Sequence, residues 1–188
     1  MLALYITLGV IALLAVIITV WIISTRNSFV RLRNNVEEAY STMDVCLKKR
    51  YDLIPNLVET VKGYAKHEKE TLDAVITARS KVSVAGNAED RAKAEGELTT
   101  TLRSLMVLTE NYPDLKANSN FTDLQNQLKT LEYEISNSRR YYNACVKTYN
   151  TKTEIFPSNL IASWFKFERK PLFEVDSPEE RKNVKVQF

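Results

Sequence analysis

From Leu2 to Thr25 no side chain carries a charge, and Leu, Ile, Val and Ala dominate the run. A helix of about 22 such residues rises roughly 33 Å, enough to cross a hydrocarbon core of about 30 Å. Leu2, Ile6, Leu13, Ile17 and Trp21 are the expected lipid anchors, with Trp21 at the headgroup boundary. A cleaved leader is the rival reading. It wants a basic start, a shorter apolar core and a small-x-small cleavage site. The chain starts MLALY, its apolar run is too long, and no A-x-A follows. The pattern therefore predicts a retained transmembrane anchor over residues 1–25.

Beyond the anchor the apolar period becomes that of amphipathic helices. Phe29, Leu32, Val36, Ala39, Met43, Leu47, Tyr51, Ile54, Val58, Val61 and Ala65 follow one another at steps of three or four. The steps average about 3.6 residues, the repeat of a straight α-helix. The stripe keeps its phase across Pro55, so the spacing predicts one helix of about 40 residues, bent at the proline. The Pro55 ring takes away the donor that would reach the Tyr51 carbonyl. A second helix is expected from Glu68 to about Val82, with Leu72, Val75, Ile76 and Arg79 on one face. In VAGNAED, Gly86 breaks the helix and Asn87 caps the next, with Asp90 at its third position. That third helix runs to about Asn111 on Ala92, Leu98, Leu102, Leu105 and Met106, and Tyr112-Pro113 ends it. A fourth starts at NSN (118–120) and carries the heptad seam Phe121, Leu124, Leu128, Leu131, Ile135, Ser138, Tyr142, Cys145 and Tyr149 before Pro157. PLFEV and NVKVQF in the tail could form a short extended pair.

The fold expected is all-α: an N-terminal transmembrane helix, then an antiparallel up-and-down four-helix bundle with long first and last helices. The bundle occupies residues 26–156 and the partly extended tail 157–188. With four helices the tail returns to the membrane surface. If the second and third helices were one rod, it would end at the far end.

Composition agrees with helices: 4 Gly and 5 Pro in 188 residues leave little for the tight turns of a β-sandwich. A net charge of +3 without a basic stripe argues against nucleic acid. Arg26, Arg31 and Arg33, then Lys48, Lys49 and Arg50, follow the span, whereas only the α-amino group precedes it. The positive-inside rule then puts the N-terminus outside and the bundle in the cytoplasm. Cys46 and Cys145 stand about a hundred positions apart and read as buried free thiols.

The order of these features resembles the LemA family. The stretches FVRLRNNVEEAYSTMDVCLKKRYDLIPNLVETVKGYAKHE, FTDLQNQLKTLEYEISNSRRYYNACVKTYNT and FPSNLIASWFKF carry the resemblance, and DLIPNLVETVKGYAKHE is its most specific part. Cys46 stands where the family pattern has Gln. The resemblance implies a bacterial membrane-anchored helical bundle with an accessory or scaffolding role and no settled enzymatic activity. Some relatives are associated with magnetosome membranes and others occur beside membrane metalloproteases.

Candidate chemistry is sparse. His67 is the only histidine and sits beside Glu68 and Glu70, which is too little for a metal site. It reads as a helix-end or solvated-turn residue. Glu37, Glu38, Asp44, Asp52 and Glu59 lack the Glu-x-x-His pairs of a di-iron bundle. G-x-S-x-G, a phosphate-binding glycine loop and S-x-x-K with its partner motifs are missing. Tyr141, Tyr142 and Tyr149 read as core and hydrogen-bond anchors. Neither a cofactor nor a metal is expected, and no enzyme. Two surfaces are left. Lys49, Asp52, Asn56, Glu59 and Lys66 form a mixed polar face around Pro55, suited to a partner protein or to nothing but water. Trp164, Phe165, Phe167 and Lys170 lie in FPSNLIASWFKFERK, which suits either the lipid interface or packing over the bundle end. The expected partners are membrane lipid, other membrane-associated proteins and further copies of the chain.

Overall fold

The computed structural model describes residues 1–174, and every regular element among them is an α-helix. The elements are α1 (Leu2–Tyr64), α2 (Lys69–Val84), α3 (Ala88–Thr109), α4 (Pro113–Lys116), α5 (Ser119–Glu154) and α6 (Ser158–Trp164). They divide into two compact units. One comprises Met1–Ser41 with Tyr141–Leu172, and the other Thr42–Arg140 with Phe173 and Glu174.

In the unit built on residues 42–140, one apolar cluster draws on the end of α1 and on α2, α3, α4 and α5. Ile54, Leu57, Val61, Val75, Leu98, Leu105, Leu115 and Phe121 are at most 1% exposed in it. The stripe read along the first helix is the buried one, on both sides of Pro55. α1 runs through Pro55 without a break, and Pro55 itself faces water. The Tyr51 carbonyl that the ring leaves without its helical donor receives one from elsewhere. Arg79 Nε of α2 donates to it at 3.1 Å, and the same guanidinium stands 3.8 Å from the Tyr51 ring centroid. An arginine thus takes the place of the missing backbone N–H. Arg79→Ala should cost about 2 kcal/mol, the worth of a charge-assisted hydrogen bond to a half-buried carbonyl. In a Pro55→Ala background, where residue 55 again has an N–H, the cost should shrink. A denaturation double-mutant cycle measures the coupling, and strict additivity would refute this account.

α2 and α3 are separate helices packed on each other. Leu72, Val75 and Ala78 are the buried positions of α2. Ile76, expected inside, is 47% exposed, because Ala78 rather than Ile76 completes the three-and-three spacing of the stripe. Ala85 is extended and ends α2 ahead of Gly86, whose φ is not positive. Asn87 caps α3 as its sequence context predicts, its Oδ1 accepting from Asp90 N–H at 2.8 Å. Pro113 does more than stop α3. It stands at the first position of α4, one turn that delivers the fully buried Leu115 to the cluster. Asn118 Oδ1 accepts from Phe121 N–H at 3.0 Å and starts α5.

Along α5 the heptad seam is buried at Phe121, Leu128, Leu131, Ile135, Ser138, Tyr142 and Tyr149; Leu124 and Cys145 are half-buried, and Val146 is buried beside Cys145. A straight helix drifts about 20° per heptad from a 3.5-residue repeat, which brings Val146 inside beside the seam late in the helix.

In the unit formed by residues 1–41 and 141–172, the anchor stretch stands bare. Leu2, Ile6, Leu13, Ile17 and Trp21 are 77%, 58%, 61%, 54% and 38% exposed. α1 is long and apolar enough over this stretch to cross a membrane. Burial begins at Thr25 and is complete at Phe29. The Phe29 ring stacks on Phe167 with centroids 4.8 Å apart, and Tyr149 meets it edge-on at 6.3 Å. α6 was not predicted. Its C-terminus closes through paired bonds, Phe167 N–H to Ala162 O at 2.8 Å and Lys166 N–H to Ser163 O at 3.3 Å, with Lys166 at φ 55°. The chain thereby reverses and brings Phe167 onto Phe29. Asn150 holds the following segment as a strand partner would: its Nδ2 donates to Lys170 O, and its Oδ1 accepts from Lys170 N–H, both at 2.9 Å. Tyr142 OH donates to Pro171 O at 2.9 Å. Residues 171–174 form no strand. The rest of PLFEV and all of NVKVQF lie outside the described residues.

Candidate functional site

Arg50 lies on the buried stripe of α1, three residues after Leu47 and four before Ile54, and its side chain is 1% exposed. A guanidinium there must be paired, since desolvating an isolated charge costs several kcal/mol. α3 supplies Glu95, placed between the buried Ala92 and Leu98 and itself 4% exposed at the side chain. Arg50 Nη2 donates to Glu95 Oε2. Nη1 donates to Glu132 Oε1 of α5 at 2.6 Å and to Thr99 Oγ1 at 2.8 Å. Thr99 in turn donates to the Glu95 carbonyl at 3.0 Å. Three helices are therefore tied through one arginine. Burial pushes the Glu95 carboxyl above its usual value, against the pull of Arg50. One turn earlier on α3, Arg91 pairs with Asp44 of α1.

The sequence alone does not single these residues out as a site, since Arg50 reads there only as one of the positive charges after the span. The available signal was a charged residue in phase with a buried stripe, matched by Glu95 in phase with the stripe of α3. Period alone does not say whether such a residue turns inward or snorkels to water.

The polar face expected around Pro55 is only partly one site. Lys49, Asp52 and Asn56 line a groove of about 620 Å³ with Asn126, Gln127, Thr130 and Glu134 of α5, over Leu53 and Leu131. Glu59 and Lys66 are exposed but lie outside it. A second groove, of about 480 Å³, runs between α3 and α5. Thr99 and Glu132 stand in its wall, flanked by Arg103 and Lys129. The outer edge of the Arg50 network thus faces a cleft, while Arg50 itself is sealed.

The remaining candidates disperse. His67 is exposed in the turn after α1, and no group of three or more His, Cys, Asp or Glu converges among the described residues. Cys46 and Cys145 are free and half-buried, with Cys46 Sγ 4.0 Å from Glu134 Oε2. Tyr142 and Tyr149 are core residues, and burial raises both phenols. Tyr141 is not: it is 57% exposed. Lys152 contacts Ser28 Oγ and lies 5.4 Å from the Phe29 ring centroid. Burial, then Arg31, depress its ammonium. Of the tail residues, Trp164 and Phe165 face outward, at 71% and 39% exposure. Phe167 turns inward to Phe29, and Lys170, half-buried, is held by Asn150 through its main chain.

The LemA family model matches residues 39–188. The chain is 26% identical to Protein LemA of Metamycoplasma hominis over 141 residues, 74% of this chain and 64% of that protein's length. It is 24% identical to Magnetosome protein MamQ 2 of Paramagnetospirillum magneticum over 174 residues, 79% of this chain and 64% of the relative. Magnetosome protein MamQ of Magnetospirillum gryphiswaldense is 23% identical over 196 residues, 90% of this chain and 71% of the relative. The match thus spans less than two thirds of the length of the first two. None of these names denotes an enzyme.

Proposed function

We propose, from the premise that the chain belongs to the LemA family, that it is a membrane-anchored, non-enzymatic interaction module. The observation that carries this reading is the bare apolar stretch of α1, which stays exposed, Ile22 excepted, until Thr25 and then gives way to the buried stripe of packed helices. Such a surface has no place in water and matches the thickness of a bilayer. The anchor is single-pass. The basic residues after it, Arg26, Arg31 and Arg33, support a cytoplasmic location for the helical part, with the N-terminus outside. That part is best read as an up-and-down four-helix bundle of α1, α2, α3 and α5. The four contribute to one apolar cluster, and the short connections, the longest holding the single turn of α4, suit antiparallel neighbours.

The partner surface is the groove of Lys49, Asp52, Asn56, Thr130 and Glu134. It pairs an apolar floor with a mixed-charge rim, which suits a protein segment. The partner belongs to the same membrane: a membrane enzyme to which this protein is accessory, or further copies of the chain in a scaffold. Cross-linking through Lys49 in intact membranes, read by mass spectrometry, should capture one recurrent segment. Asn56→Trp, which fills the groove, should abolish that cross-link, whereas Glu59→Ala, outside it, should not. Cross-links insensitive to Asn56→Trp would refute the groove as the docking surface. Cross-links joining two copies of the chain select the scaffold.

A further inference from the structure

α6 presents apolar side chains on two sides. Ser158, Ile161 and Ala162 are buried against the protein. The other side shows Leu160 and Trp164, spaced four apart and 58% and 71% exposed. In the turn just before α6, Ile155 and Phe156 are 52% and 78% exposed. So much apolar surface on one short segment is not explained by packing, which the inner side already supplies.

Its place in the unit says what covers it. Phe165, at the C-terminus of α6, lies under the guanidinium of Arg26, 5.4 Å from the ring centroid. Arg26 is the first charged residue after the uncharged run. Trp21, five residues earlier on the helix, is about 7.5 Å nearer the centre of the span. The outward rings of α6 therefore stand at the level where α1 leaves the lipid. The rim is basic. Lys166 is exposed, and Arg169, 72% exposed at the side chain, is joined to Glu154 at 3.1 Å. Glu168 is the other carboxylate there. Lys166 adds an independent sign. It occupies the left-handed position that closes α6, where glycine avoids a cost of about 1 kcal/mol. A lysine at that position puts an ammonium group at the end of the exposed rings.

We propose that α6, with the turn before it, is a second, surface-lying membrane contact, with Phe156, Leu160 and Trp164 in the headgroup and upper acyl region of an anionic leaflet and Lys166 and Arg26 on its phosphates. The contact rests on the anchoring by α1 proposed above and adds a fixed orientation of the first unit on the bilayer.

The two tryptophans separate the claims. The full chain is reconstituted into nanodiscs as Trp21→Phe, leaving Trp164, and as Trp164→Phe, leaving Trp21. Lipids brominated near the headgroup should remove most of the Trp164 emission in phosphatidylglycerol-containing discs, and less in purely zwitterionic discs or with Lys166→Gln. Trp21 should be quenched by bromolipid in all of them. Trp21 quenched while Trp164 stays open to aqueous acrylamide overturns the α6 contact and leaves the anchor standing. Trp164 shielded from acrylamide yet untouched by bromolipid means a protein covers it, and overturns the lipid assignment. Trp21 without bromolipid quenching overturns the anchor itself.

Discussion

Arg50→Met should destabilise the unit of residues 42–140 by about 3–5 kcal/mol at neutral pH, the cost of removing one partner of a buried ion pair. Methionine fills much of the volume, so the loss is electrostatic. Glu95, 4% exposed at its side chain, would keep its burial and lose its main counter-charge. In the wild type its carboxyl is already raised above 4.5 by burial, with Arg50 pulling it down. Without Arg50 it rises further. A folded pKa above the unfolded one means the native state holds more protons between the two, so stability falls as pH rises through that window. The deficit of Arg50→Met should therefore be largest at neutral pH and shrink as pH approaches the unfolded value of 4.5. Arg50→Met/Glu95→Leu should return to within about 1 kcal/mol of the wild type, because an apolar pair is a fair substitute for a buried ion pair. Chemical denaturation of the full chain in detergent, followed by circular dichroism, reads all three. A single mutant as stable as the wild type at neutral pH would mean the network holds nothing.

Phe29→Ala should cost about 3–5 kcal/mol in the other unit, the usual loss for truncating a buried phenylalanine. The ring is fully buried, stacked on Phe167 and met edge-on by Tyr149. Its removal takes away the surface against which residues 165–172 fold back. Hydrogen exchange should speed up at Phe165 and Phe167, whose amides bond to Ile161 O and Ala162 O. Amides around Leu102 and Leu105 should keep their protection, since those residues belong to the second unit. Phe29→Leu, which keeps most of the volume, should recover most of the loss. Equal acceleration in both regions would show that Phe29 supports the whole molecule rather than its own unit.

Much of the helical architecture could be read from spacing. The stripe from Phe29 to Ala65, the Asn87 cap and the seam of α5 are local or periodic, and a 3.6-residue repeat reports its own buried face. The short helices could not be read that way. α4 and α6 are too short to show a period, and Pro113 serves equally as a stop and as a first helical residue. Of the polar face around Pro55, three members share a groove, because α5 supplies its other wall. Of the four tail residues read as interfacial, Phe167 turns inward once Lys166 reverses the chain.

By itself the sequence determined an uncharged membrane-length run, a helical fold and a helix that passes through Pro55, since each follows from composition or period along one chain. Only the tertiary structure decided that Arg79 would satisfy the Tyr51 carbonyl, that Arg50 would be sealed between Glu95 and Glu132, and that α6 would end beside Arg26. Each of those depends on which residue of a distant segment arrives within a few ångströms, and a charge or a ring carries no mark of its partner until another helix is packed against it.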